Sequence, residues 1–234
     1  MLKVEDLGFC EFSYDGEKEQ FKDLIVQSIT EGYKRNVGFF GFELKFKVFF
    51  YYTREEFSKN WIPPEYALEN KWLSAYAIKT LKNQLFFLSP TVLEELSNNK
   101  LDRFQKTTGH EISHLFIREI QSNDLPFVFK EGLPYAINSQ TNENWVIELI
   151  EKQGALLFGA DFEFTSDFDS HVTLFYQQSG SMIKWLLEKK GKKKLIEFIK
   201  GNDSSITAAF ERIFSLSKEE FFESWLKDFK EKSF

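Results

Sequence analysis

The pentapeptide His110-Glu111-Ile112-Ser113-His114 constrains this chain more than any other stretch, because histidine is scarce: three residues in 234. In a helix, positions i and i+4 lie one turn apart on the same face, with ~6 Å between their Cβ atoms. Two imidazoles so placed can converge on one ion, and Zn²⁺ takes imidazole nitrogen at ~2.0–2.1 Å. Glu111 projects about 100° round the helix from His110, so its carboxylate can approach a zinc-bound water without ligating the metal. Phe104, Ile112, Leu115, Phe116 and Ile120 recur at helical spacing and supply the opposite, core-facing stripe. The bland alternative is a helix carrying two surface histidines.

A catalytic zinc site takes three protein ligands and keeps one position open. The third ligand can be histidine or carboxylate. The remaining histidine, His171, lies far downstream. Glu131 is better placed, past the loop Ser122-Asn123-Asp124 and within the apolar segment Phe127-Val128-Phe129-Lys130-Glu131-Gly132-Leu133. Glu119 competes from the same helix, but at a poor angle, and reads as a solvated face charge.

The N-terminal half is mixed. Glu17 to Lys34 has helical spacing, with Gly38 and Gly41 as punctuation after it, and Glu43 to Thr53 alternates as a half-buried strand. Thr53-Arg54-Glu55-Glu56 reads as a helix start, and the pair Pro63-Pro64 breaks the segment it opens. Ser74–Thr80 and Leu85–Leu88 read as strands joined at Lys82-Asn83, with a short helix from Ser89-Pro90-Thr91 through Leu96. Leu85–Leu88 suits either a sheet edge that pairs with an extended peptide or a core strand. From about residue 121 the chain reads as nearly all helix: Met182–Lys190 ending at Gly191, then segments marked by Leu195, Ile206 and, behind a Ser217/Glu220 capping box, Phe221. The fold expected is α+β, one domain over 1–234: an α/β lobe (1–121) with a small mixed or antiparallel sheet and the active-site helix, then a helical lobe (122–234).

A hydrophobic fraction of 42% with 28% charged residues is globular composition. The net charge of −6 argues against a broad grip on nucleic acid or anionic lipid. No stretch has the ~18 apolar residues that a membrane helix needs. Met1–Cys10 has acids at Glu5 and Asp6 and no apolar stretch, so no secretory signal is read and a cytoplasmic setting is the default expectation. Cys10 has no nearby ligand partner and is expected to be inert. The 28 phenylalanines read as core filling. Lys189, Lys190, Lys192, Lys193 and Lys194 read as a basic run at a helix end.

H-E-x-x-H followed by Phe129-Lys130-Glu131-Gly132-Leu133 resembles the gluzincin metallopeptidases, particularly the peptidase MA-like domains. In these, a helix with a Glu-Gly-Leu-Ala-type motif supplies a glutamate ligand. The run Phe175-Tyr176-Gln177-Gln178-Ser179-Gly180-Ser181 and the helices after it resemble that family's C-terminal region, and the likeness covers about residues 17–230. It departs at Pro134 and Tyr135, where the family has alanine and then an acid that orients a ligand histidine. The aminopeptidase-type Gly-x-Met-Glu-Asn sequence is absent. The resemblance implies a zincin-like fold and one Zn²⁺ held by His110, His114 and Glu131. It further implies Glu111 as general base and Tyr176, with His171 as a second candidate, steadying the oxyanion while a peptide or protein substrate is cut. The alternative is a catalytically inactive peptidase-like module that binds a partner protein.

Overall fold

Alternating apolar residues near the N-terminus pair into a hairpin. Strand β1 (Leu2–Asp6) runs antiparallel to β2 (Cys10–Asp15), which buries Cys10, Phe12 and Tyr14. Gly8 turns between them at φ 84°, its N–H donating to Asp6 Oδ1 at 2.6 Å. Helix α1 (Lys22–Phe40) then carries the chain to β3 (Phe46–Tyr51), which pairs parallel with β2 in a βαβ unit. The computed structural model describes residues 1–59, 75–77, 83–96, 101–142, 144, 146–147, 168–203 and 205–231. Pro63-Pro64 and Lys82 lie outside the described residues.

Strand β4 (Ala75–Ala77) pairs antiparallel with β5 (Gln84–Leu88), which in turn pairs parallel with β3. The five-stranded mixed sheet therefore runs β1-β2-β3-β5-β4. This order decides between the two readings of Leu85–Leu88: β5 is bonded on both sides and is a core strand, while β1 and β4 form the edges. Short helices α2 (Arg54–Ser58) and α3 (Pro90–Leu96) are both entered through side-chain caps. Thr53 Oγ1 accepts from Glu56 N–H, and Ser89 Oγ from Thr91 N–H, each at 3.1 Å.

Helix α1 starts later and runs further than its apolar spacing predicts. Glu19 is held outside the helix, where its carboxylate accepts from Tyr52 Oη, Ser89 Oγ and Thr91 Oγ1. Gly41, at φ 80°, ends the helix, and Gly38 lies within it. Cys10 is buried in β2, and burial pushes its thiol pKa up, which keeps it from the reactive thiolate form.

The chain divides into two compact units, Met1–Phe116 and Ile117–Phe234. Helix α4 (Leu101–Ile120) runs across that division. The second unit holds α5 (Phe127–Ile137), α6 (Phe168–Lys190), α7 (Lys192–Lys200), α8 (Ile206–Phe214) and α9 (Lys218–Glu231), with no strand among its described residues. The molecule is thus α+β with a small mixed sheet, as its patterning predicts. The capping box at α9 is reciprocal: Ser217 N–H donates to Glu220 Oε2 at 2.7 Å, and Glu220 N–H to Ser217 Oγ at 3.1 Å.

Gly191, at φ 84°, separates α6 from α7 and divides the basic run. Lys189 and Lys190 sit in the last turn of α6, where the helix dipole favours them; Lys192, Lys193 and Lys194 sit in the first turn of α7, where it does not. Trp225 apart, every one of the largest fully buried side chains is a phenylalanine. No described helix is long and apolar enough to cross a membrane.

Candidate metal centre

Two aromatic anchors set the rotation of α4 about its axis within the first unit. Phe104 meets Phe50 and Phe87 of the sheet, at ring centroid distances of 6.2 and 6.0 Å. One face further along, Phe116 meets Tyr33, Phe40 and Phe42 at 6.0, 5.4 and 5.0 Å. Ile112, on the same stripe, is fully buried. His110 and His114 each lie two residues from Ile112, hence about 160° round the helix from it. Burying the stripe therefore turns both imidazoles together to the opposite side.

There His110 Nε2 and His114 Nε2 stand 3.1 Å apart, with the rings inclined at 78°. Two nitrogens bound to one tetrahedral ion at ~2.0–2.1 Å would stand about 3.3 Å apart, so the spacing of the pair is compatible with a shared cation. One ligand atom each from His110, Glu111 and His114 falls within 4.8 Å of the others, the one such group of three among the described residues. His110 and Glu111 are buried and His114 is half-buried, which restricts the rotamers from which they act. Glu119 is exposed and forms no part of this group.

The remaining candidates belong to the second unit. Glu131 is half-buried on α5, and its neighbour Gly132 explains the Glu-Gly pairing. A Cβ at 132 would stand 2.5 Å from Ser179 O and 2.7 Å from Ser179 C on α6, so only glycine lets the two helices meet at this depth. Phe127, Glu131 and Tyr135 occupy successive turns of one α5 face, spanning about 12 Å. Tyr176 of α6 touches both ends of that face: its ring lies 5.6 Å from Phe127 and 5.3 Å from Tyr135, nearly parallel to the latter at 15°. The Tyr176 ring is therefore level with Glu131, and the two share one face of this unit.

Pro134 lies inside α5, which continues to Ile137; its carbonyl accepts from Asn138 N–H at 3.1 Å and from Asn138 Nδ2 at 2.9 Å. Tyr135, where the resemblance would place an acid, stacks on Tyr176. Gln177 fastens the chain after α5, accepting from Asn142 N–H at 2.7 Å and donating to Gln140 O at 3.2 Å. His171 lies on α6, but its side chain is outside the described residues.

Asn36 is a residue that periodicity does not single out. It is fully buried on α1, and its Nδ2 donates to the Gly109 carbonyl at 3.2 Å, one residue before His110. The only signal in the sequence is a lone amide in the stripe Ile25, Ile29, Gly32 and Tyr33, just past the expected end of the helix.

No protein-family model matches the chain, and neither a curated protein nor a solved structure matches it.

Proposed function

We propose that the chain is a zinc-dependent peptidase of the gluzincin type, in which His110, His114 and Glu131 hold one Zn²⁺. The observation that carries this reading is the 3.1 Å approach of the two imidazole Nε2 atoms with the Glu111 carboxylate beside them. When bound, the ion supplies Lewis acidity, which polarises a carbonyl and lowers the pKa of water far below its bulk value, toward ~7. Glu111 does the proton work: its carboxylate accepts a proton from the attacking water and delivers it to the departing amine nitrogen. The Tyr176 hydroxyl donates to the carbonyl oxygen as negative charge grows there, and stacking on Tyr135 limits how far its ring can turn. His171, earlier on the same helix, is the second candidate donor. The substrate is a peptide or protein, consistent with the acidic net charge of −6, which disfavours nucleic acid.

The test is hydrolysis of a mixed peptide library by zinc-loaded protein, with Glu111→Gln alongside. The wild type is expected to cleave, and the variant to lose ~10²–10⁴-fold in rate while keeping its zinc. Full activity in the variant overturns the assignment of the base. A wild-type protein that holds zinc and cleaves nothing favours the partner-binding module.

A further inference from the structure

Asn36 is a poor choice for stability. It is fully buried, and its Oδ1 finds no hydrogen-bond donor among the described residues. An unsatisfied buried acceptor carries the full desolvation penalty of its group. Its two donations add little in return, because both acceptors are already served. Gly32 O, at 2.9 Å from Asn36 Nδ2, lies four residues before Asn36 and accepts its backbone N–H within α1. Gly109 O receives Ser113 Oγ at 2.9 Å and also has a helical N–H four residues on. An alanine there would leave no orphaned oxygen, would add no bulk to the seam and would suit the helix interior better.

What the amide does provide is a directional link between two helices. At this level α1 and α4 are in backbone contact: a Cβ on Gly32 would stand 2.8 Å from Gly109 Cα and 3.1 Å from Ile112 Cδ1. Apolar packing along such a smooth seam resists separation but tolerates small slides and rotations. The Asn36 bond to Gly109 O resists both, one residue before the first metal-directed histidine. A rotation of α4 by 20° moves side-chain tips ~6 Å from its axis by about 2 Å, carrying the three side chains together out of line with any further ligand, where coordination tolerates only ~0.5 Å.

We propose that Asn36 is a positioning residue for the metal centre: by holding the Gly109 carbonyl from α1, it fixes the rotation at which α4 presents His110, Glu111 and His114. The inference rests on the zinc reading above. It distinguishes itself from an ordinary packing role by splitting two readouts that a packing role would move together.

The experiment measures zinc affinity, by competition with a chromophoric chelator, and thermal stability, for the full chain and for Asn36→Ala and Asn36→Ser. The serine can bond only its own helix, as Ser28 does to Leu24 O at 2.6 Å, so it keeps the local contact and drops the one to Gly109. Both variants are expected to bind zinc about tenfold or more weakly, in line with the loss of groups that orient metal ligands. Asn36→Ala, which removes the unsatisfied oxygen and adds no bulk between α1 and α4, is expected to melt close to the wild type in metal-free buffer. The visible spectrum of the Co²⁺-loaded protein should change in both, since it reports ligand geometry and not fold stability. Unchanged zinc affinity and cobalt spectrum in the variants overturn the positioning role alone. A wild type that binds no zinc overturns the metal reading and this inference together. Should the alanine variant fail to fold, the serine variant decides by the same two measurements.

Discussion

Replacing Gly132 by alanine tests the packing that presents Glu131. Glycine in a helix interior costs about 1 kcal/mol relative to alanine, so on propensity alone the change would stabilise. The structure opposes it. The added methyl would stand 2.5 Å from Ser179 O and 2.7 Å from Ile183 Cγ1, nearly an ångström short of ordinary contact, and the closest atoms belong to α6 backbone. Overpacking of this kind costs about 1–3 kcal/mol, and a backbone neighbour that cannot turn aside puts the site at the upper end. The net expectation is a loss of about 2 kcal/mol, or roughly 4–8 °C for a chain of this size. Gly38→Ala is the matched control: it also lies in a helix, is exposed, and its new methyl would meet nothing within 4 Å. That variant should gain about 0.5–1 kcal/mol. Urea unfolding monitored by far-UV circular dichroism measures both. The reasoning is refuted if Gly132→Ala is as stable as the wild type, because α5 and α6 would then not touch where the structure puts them in contact.

Local interactions carry three further expectations. Ser217→Ala should cost about 1 kcal/mol by removing the hydroxyl that accepts from Glu220 N–H at the start of α9, read as a shift in urea midpoint at constant slope. The Lys22 ammonium, 2.6 Å from Glu5, together with the Tyr14 hydroxyl, holds the Glu5 carboxyl below the usual carboxylate range. That contribution is complete above the unfolded-state pKa and fades as pH falls through the lowered folded one. Glu5→Gln should therefore be less stable than wild type at neutral pH and converge with it in acid; an equal difference at both ends would contradict the assignment. Trp225 Nε1–H donates to Ser181 Oγ at 3.1 Å in the core of the second unit, so Ser181→Ala orphans a buried donor and should cost about 1–3 kcal/mol in the same assay.

The histidine pair was legible because its geometry is local. Histidines four residues apart on a helix meet on one face whatever the rest of the fold does, and the stripe through Phe104, Ile112 and Phe116 shows which face turns inward. The capping box at Ser217 and the caps at Thr53 and Ser89 are local in the same way. Strand order was legible only in part: the β4–β5 hairpin is local, but β5 also pairs with the distant β3, and its unbroken apolar run fits an interior strand as well as an edge. Helix α6 was read only from Met182 because Gln177 to Ser181 look like a polar break. Gln177 bonds the chain after α5, at Gln140 O and Asn142 N–H, and Ser181 accepts from Trp225, ties that no periodicity announces. Tyr176 entered through a resemblance; its stacking on Tyr135 beside Glu131 is a tertiary fact. Asn36 was hidden for the opposite reason, since an amide in a buried stripe looks like an exception until the carbonyl it holds is known.

Zinc binding by the purified full chain tests the central claim most directly. Titration against a chromophoric chelator should show one Zn²⁺ per chain. His110→Ala and His114→Ala should each abolish binding, and Glu131→Ala should remove most of it. A chain that takes up no zinc, or one whose stoichiometry and affinity survive both histidine substitutions, would contradict the account.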